Sequence, residues 1–233
     1  MPHSMSESAF DAVLFDMDGV LIDTHMAVTR FWMQLADRTG VSLTSDDFVQ
    51  HIYGRKAEHT LAQFFPKISE TTWQQAVADL VAEEAVMQHK PIPGVIALLQ
   101  ALNKVRIPVA LVTSAMPPKV AIVCEQLGLD QTFQAVVTAR DIDQGKPHPD
   151  CYQLAAKRLG KPVNRCIVFE DSLSGAEAAL AAGATCIGVN RASEQLLQLG
   201  VALVIPDFTG VAVETDARGM RLRLLPQVSL TFD

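Results

Sequence analysis

The sequence predicts an α/β protein: a parallel sheet flanked by helices and interrupted once by an all-helical insertion. Three observations carry this. From residue 91 onward, short apolar runs alternate with segments of helical period, the pattern of strand–helix–strand units joined by right-handed crossovers. Residues 24–90 break that alternation with helical segments only. The first apolar run, Ala12-Val13-Leu14-Phe15, has β-branched and aromatic members and reads as a strand buried on both faces. A length of 233 residues suits one large domain, or a core domain with an insert, and is ample for a hydrophobic core.

Taken in order, residues 1–9 are small and polar and are expected to fray. A strand over 12–16 follows. Val28, Phe31, Trp32 and Leu35 recur at helical spacing and predict a helix over 26–39, stopped by Gly40. A second helix runs from Ser45 to Tyr53-Gly54, and two more span 57–65 and 70–87, broken at Pro66. Pro91-Ile92-Pro93-Gly94 is a stiff return linker. Helices are then expected over 95–104, 119–127, 151–159 and 175–182, and strands over 109–113, 135–138, 166–169, 185–189 and 202–205. The predicted division is a core of 1–23 with 91–233 and a helical unit of 24–90. In the tail, 211–214 and 220–225 alternate with period two around Asp216–Gly219 and predict a hairpin, extending a sheet edge or contacting a partner.

Composition narrows the function. With 49% hydrophobic and 19% charged residues the chain reads as globular and soluble. A net charge of −7 argues against nucleic acid as the main partner, because phosphate backbones attract basic surfaces. The four cysteines form no C-x-x-C pair, and Cys166 and Cys186 fall inside strand-like runs, so buried free thiols in a reducing compartment are expected. No apolar run spans a bilayer, and the N-terminus has no basic region followed by an apolar one. The expectation is a cytoplasmic monomer or weak dimer without a membrane partner.

The chemistry gathers where strands leave the sheet. Asp16 and Asp18 stand at the end of the first strand, with Gly19 freeing the turn. Ligands of open α/β sheets bind outside the carboxyl ends of their strands. Two carboxylates there repel unless a proton or a cation lies between them, and Mg²⁺ suits oxygen donors of this kind. The plainer alternative is an acidic loop capping the next helix. Three further stretches fall on the same rim. Thr113-Ser114 offers hydroxyls and backbone N–H groups to a phosphate oxygen, or starts a helix. In Gly145-Lys146-Pro147-His148-Pro149 a constrained lysine aims an ammonium, while His148 reads as a loop residue. Glu170-Asp171-Ser172 completes an oxygen coordination sphere with Asp16, or caps the following helix.

This order of Asp-x-Asp, Thr-Ser, Lys-Pro and Glu-Asp resembles the four motifs of the haloacid dehalogenase superfamily of phosphohydrolases, in the branch with a helical cap after the first motif. The resemblance spans 12–206. It implies a Rossmann-like core with a smaller helical cap, and it implies roles: Asp16 as nucleophile forming an aspartyl-phosphate, Asp18 as acid and then base, Ser114 on the phosphate, and Lys146 orienting Asp16. Mg²⁺ would sit on Asp16, Asp171 and the main-chain carbonyl of Asp18, with Glu170 at the metal or behind it. An acid at Asp18 disfavours carbon–halogen cleavage.

Substrate choice is expected to reside in the cap, where Arg55 and Lys56, next to Gly54, are the leading specificity candidates. Trp32 reads as packing, and His25 borders the hinge. β-Phosphoglucomutase, a relative with a similar cap, carries a histidine where this chain has Val28 and an arginine where it has Ala57. The stretch from Val137 to Pro149 looks instead like the sugar- and polyol-phosphate phosphatases. The expected activity is Mg²⁺-dependent hydrolysis of a small sugar or polyol phosphate. The alternatives are a phosphosugar mutase and a catalytically idle phospho-ligand-binding module.

Overall fold

The computed structural model describes residues 9–189, 193–217 and 219–232. The expected fraying of the first residues falls, up to residue 8, outside this set, as does Arg218 of the tail turn. Six parallel strands form the central sheet: β1 (Ala12–Phe15), β2 (Val109–Val112), β3 (Ala135–Val137), β4 (Cys166–Glu170), β5 (Thr185–Val189) and β6 (Leu203–Ile205). Their order is β3-β2-β1-β4-β5-β6, and Leu14 lies opposite both Ala110 and Val168. β1 is thus the switch point, flanked by the two halves of the sheet. β1, β2 and β4 are buried along their whole length, which is why β1 and β2 read as uninterrupted apolar runs and β4 as one up to Glu170.

Between β1 and β2 lie the helices of the insertion: α1 (His25–Thr39), α2 (Ser45–Asp47), α3 (Ala57–Phe64) and α4 (Glu70–Val86). They enclose a cluster of their own around Trp32, Leu35, Phe48, Ile52 and Phe65, with the Trp32 ring stacked 5.8 Å from Phe65. Val28 and Ala57 pack against this cluster. The expected single helix from Ser45 is two pieces. Thr44 caps α2 through a reciprocal bond with Asp47, and the chain then widens into a π-helical turn over Phe48–Ile52. Tyr53 is extended and Gly54 follows at φ 75°, turning the loop 53–56 toward the sheet. The chain segments entering and leaving the insertion run side by side. Ile22 bridges Pro91, and Asp23 N–H donates to Lys90 O at 3.0 Å.

The sheet is covered on both faces. Val13 and Phe15 point into one cluster with α5 (Val95–Lys104) and α6 (Pro117–Leu127), whereas Ala12 and Leu14 point into another with α7 (Asp150–Leu159) and α8 (Leu173–Ala181). α6 begins at Pro117, earlier than expected, because proline is tolerated at a first helical position. α9 (Ser193–Leu199) was not anticipated. Among its described side chains, Glu194 to Leu199, only Leu196 is fully buried, too little to show a period.

The tail forms the expected hairpin, β7 (Ala212–Asp216) with β8 (Gly219–Leu225), and a third antiparallel strand, β9 (Val228–Phe232). It forms a sheet of its own instead of extending the central one. Leu222, Leu224, Leu230 and Phe232 are buried in the cluster shared with α5, and Phe10 N–H donates to Thr231 O at 2.7 Å.

Candidate active site

The end of β1 carries Asp16, which is buried with only 4% exposed. Beside it, the loop ahead of α7 delivers Lys146, whose Nζ donates to Asp16 Oδ1 and to Glu170 Oε1, both at 2.5 Å. Glu170 ends β4 and has no free capacity left. Oε1 also accepts from Tyr152 Oη at 2.8 Å, and Oε2 accepts from the N–H groups of Asp171 and Ser172 and from Ser172 Oγ. A buried carboxylate must be compensated in this way, since an unpaired charge away from water is expensive.

Asp16, Glu170 and Asp171 each place a carboxylate oxygen within 4.8 Å of the others, with a single ammonium among them. Burial pushes Asp16 up to about 8; Lys146 opposes the rise, and Glu170 and Asp18 add to it. Burial likewise holds Asp171 well above its ordinary value, reinforced by Glu170 and Asp16. Burial disfavours the Lys146 charge, yet Asp16 and Glu170 keep it above the ordinary lysine value. Among the described residues no hydrogen-bond donor reaches the Asp171 side chain. A hard divalent cation would supply what this donor set lacks: positive charge, and a partner for acceptor-only oxygens. Gly19 is required for the same reason of space, because at φ 86° a Cβ there would lie 2.0 Å from Asp171 Oδ2.

Asp18 is held differently. Its Oδ1 accepts from Thr24 Oγ1 at 2.6 Å and from Lys119 Nζ at 2.8 Å. Burial alone would raise its pKa, but the Lys119 charge and the bonds from Lys119 and Thr24 bring it below the ordinary value. Its side chain is not part of the Asp16–Glu170–Asp171 cluster. Thr113 is buried, with Oγ1 accepting from Ala115 N–H at 3.0 Å, so its hydroxyl shapes the turn after β2. Ser114 Oγ donates to Gly54 O at 2.7 Å, joining that turn to the helical insertion. His148 pairs with Asp150 at 2.9 Å in an exposed loop.

The loop 53–56 is clasped at three points. Besides the Ser114 bond, Ser174 Oγ donates to Tyr53 O at 2.9 Å, and Lys56 Nζ donates to Ile142 O at 2.5 Å. Gly54 fits so close that a Cβ would lie 2.1 Å from Ser172 Oγ. Lys56, expected on the substrate, thus has its ammonium on the backbone of the loop that leads to Lys146. Arg55 donates to Gln50 O at 3.3 Å. Neither lines the cleft of about 320 Å³ that opens beside Asp171. That cleft is walled by His25, Val49 and Tyr53 on the helical side and by Ser172, Leu173 and Gln195 on the other. The His25 and Tyr53 rings lie 4.1 Å apart, and Tyr53 Oη bonds Thr29 Oγ1 at 2.8 Å.

With this geometry in place, comparison decides the family. The model of the haloacid dehalogenase-like hydrolases matches residues 10–183. The chain belongs to that family. Hexitol phosphatase A of Escherichia coli (strain K12) is 35% identical over 215 residues, 88% of this chain and 95% of its own. A haloacid dehalogenase hydrolase of family IA from Entamoeba histolytica, solved by crystallography, is 32% identical with a TM-score of 0.71, covering 87% of this chain and 95% of its own. β-Phosphoglucomutase from Clostridium difficile shares the fold at a TM-score of 0.75 and 22% identity, covering 86% of this chain and 92% of its own.

Lys119, Tyr152 and Thr24 reach the acidic residues from α6, α7 and the start of α1, and none of them stands out in the sequence. Nor does Gln195 of α9. Proximity to Asp18 or Glu170 leaves no local pattern. The one available signal was Lys119's place in the first turn of the helix that follows Ser114.

Proposed function

We propose that the protein is a Mg²⁺-dependent phosphatase that hydrolyses a small sugar or polyol phosphate through a phosphorylated Asp16. The observation that carries this is the Asp16–Lys146–Glu170 arrangement at the end of the switch-point strand, with the unbonded Asp171 beside it. Asp16 and Asp171, with the main-chain carbonyl of Asp18, would hold the Mg²⁺. Glu170 stands behind them, its oxygens already filled. When bound, the ion would offset charge on the transferring phosphoryl group.

The protein's own groups do the rest. Asp16 attacks phosphorus, and Lys146 orients that carboxylate and neutralises charge. The N–H groups of the turn at Ser114 receive the phosphate oxygens, and the Ser114 hydroxyl joins them by turning its one hydrogen away from Gly54 O. The Lys119 ion pair favours the anionic Asp18, the form that accepts a proton from water. A phosphate dianion arriving nearby raises Asp18 toward the protonated form that serves the leaving oxygen. Residues 24–90 act as a cap over a core of 1–23 and 91–233, with the bridged segments at Ile22 and Pro91 as the hinge.

The substrate class is supported by the relative named hexitol phosphatase and by the size of the cleft. Val28 and Ala57, both packed in the helical cluster, speak against the mutase reading. No helix among the described residues is long and apolar enough to cross a membrane, and the four cysteines are buried free thiols. A cytoplasmic monomer or weak dimer remains the proposed state.

The test is phosphate release from a panel of sugar, polyol, glycolate and nucleotide monophosphates, with Mg²⁺ and with EDTA. Release is expected from a few sugar or polyol phosphates, to vanish with EDTA, and to fall on the order of 10⁴-fold in Asp16→Asn. Retained Mg²⁺-dependent release in that variant would remove Asp16 as nucleophile. Conversion of β-glucose 1-phosphate to glucose 6-phosphate without release would establish the mutase.

A further inference from the structure

Lys119 stands in the first turn of α6, which opens on Pro117-Pro118 and follows the Thr113-Ser114 turn. Proline at the first helical positions fixes φ and so limits how far that turn can move. From there the ammonium reaches Asp18 Oδ1 at 2.8 Å, with the lysine side chain 15% and the aspartate side chain 28% exposed. Thr24 Oγ1 donates to the same oxygen at 2.6 Å. Asp18 Oδ2 accepts no hydrogen bond from the described residues. The two oxygens of one carboxylate are therefore unlike: one is anchored twice, the other is left for a proton.

We propose that Lys119 is a positioning residue for proton transfer, anchoring Asp18 through Oδ1 so that Oδ2 carries the proton that the reaction moves. This rests on the phosphatase reading above. In the first half, the Asp16 carboxylate forms a bond to phosphorus and the bond from phosphorus to the alkyl oxygen breaks. The proton on Asp18 Oδ2 passes to that oxygen, which leaves as the alcohol. In the second half, water attacks phosphorus, its proton goes to Oδ2, and Asp16 is released as a carboxylate. In both halves Asp18 changes charge beside a fixed ammonium, and dipoles and charges held in advance need no reorganisation during the step. A lysine that merely braced α6 against the Asp18 loop would act on every substrate alike.

Leaving-group dependence separates the two. An alkyl alcohol needs a proton to depart, whereas p-nitrophenolate leaves as an anion. The measurement is kcat/KM on the best alkyl phosphate of the panel and on p-nitrophenyl phosphate, in the Mg²⁺-loaded full chain. Lys119→Met is expected to lose about 10²-fold on the alkyl ester, in the range that general acids contribute, and at least about tenfold less on the aryl ester. Lys119→Arg is expected to recover most of the alkyl activity, and Lys119→Met added to Asp18→Asn to cost nothing further, because the two act as a unit. Equal losses on both esters, or additive losses in the double variant, overturn the proposal, provided that Lys119→Met melts with the wild type; if it does not, Lys119→Arg with an equal loss on both esters overturns it. A wild type that releases phosphate from neither ester overturns the phosphatase reading itself, a result distinct from these.

Discussion

The end of β1 and the loop 53–56 meet at the same site but are held by opposite means. At the strand end, buried charged side chains are locked together: Lys146 bridges Asp16 and Glu170, and Glu170 accepts bonds from four residues. In the loop, the bonded groups are mostly backbone carbonyls, those of Tyr53 and Gly54, and the donors are serines of the opposite side. Removing one partner from a buried ion pair costs about 3–5 kcal/mol, because a charge is stranded. A neutral hydrogen bond is worth only about 0.5–1.5 kcal/mol net, because water replaces it when it opens. The strand end is therefore the more firmly held of the two, and the loop is the part that the proposed closure of the cap would make and break.

The strongest way to break the comparison is at Asp171. Asp171→Asn is expected to lower kcat/KM at least about 10³-fold, by removing a ligand of the proposed Mg²⁺. It is also expected to raise the thermal midpoint of the metal-free protein, because it takes away a buried, repelled carboxylate. The pH dependence follows from Asp16, lifted from 3.8 to about 8. Between those values the folded protein binds protons that the unfolded chain has released, so metal-free stability falls as pH rises from about 4 to about 8. Mg²⁺ at a hundredfold its Kd should return about 2.7 kcal/mol, with the larger midpoint shift at the alkaline end and no shift in Asp171→Asn. Thermal melts across pH, with and without Mg²⁺, check this. A metal-free variant less stable than wild type would show that Asp171 is not strained.

The same contrast explains what could be read beforehand. Asp16, Asp18, Lys146 and Asp171 stand next to apolar strands or beside a proline, so strand runs and loop chemistry were enough to single them out. The strands of the sheet and the helices between them were legible from those same runs, but their order in the sheet was not. Lys119, Tyr152 and Thr24 come from helices whose sequence does not say what they face. The clasp was invisible for a stricter reason: its acceptors are carbonyls, which every residue has. Lys56 was legible as an unusual loop cation, but not its partner. In the tail, Val228, Leu230 and Phe232 do alternate, and the missed strand is too short for that alternation to stand out.

Gly54→Ala attacks the clasp through its backbone. The residue sits at φ 75° with Ser172 Oγ 2.1 Å from where a Cβ would be, so an added methyl both strains the loop and pushes it off the core. Activity is expected to fall on the order of 10²-fold, through closure that no longer completes the site. The midpoint shift produced by Mg²⁺ should survive, since no residue proposed to hold the ion is replaced. Loss of that shift together with activity would mean that the two regions are one structural unit.

Lys56→Met is the mildest intervention and the most discriminating. Methionine keeps an unbranched apolar stem and deletes the ammonium that bonds Ile142 O. One partly exposed hydrogen bond is worth about 1 kcal/mol, so KM should rise about fivefold with little change in thermal midpoint. A clasp acts on closure itself, which every substrate needs, so the rise should be uniform across the panel. A lysine that touched substrate oxygens would reorder the panel, penalising those esters whose hydroxyls it had bonded. A changed ranking would return Lys56 to the role its sequence position suggests, and would mean that the loop recognises substrate rather than only closing over it.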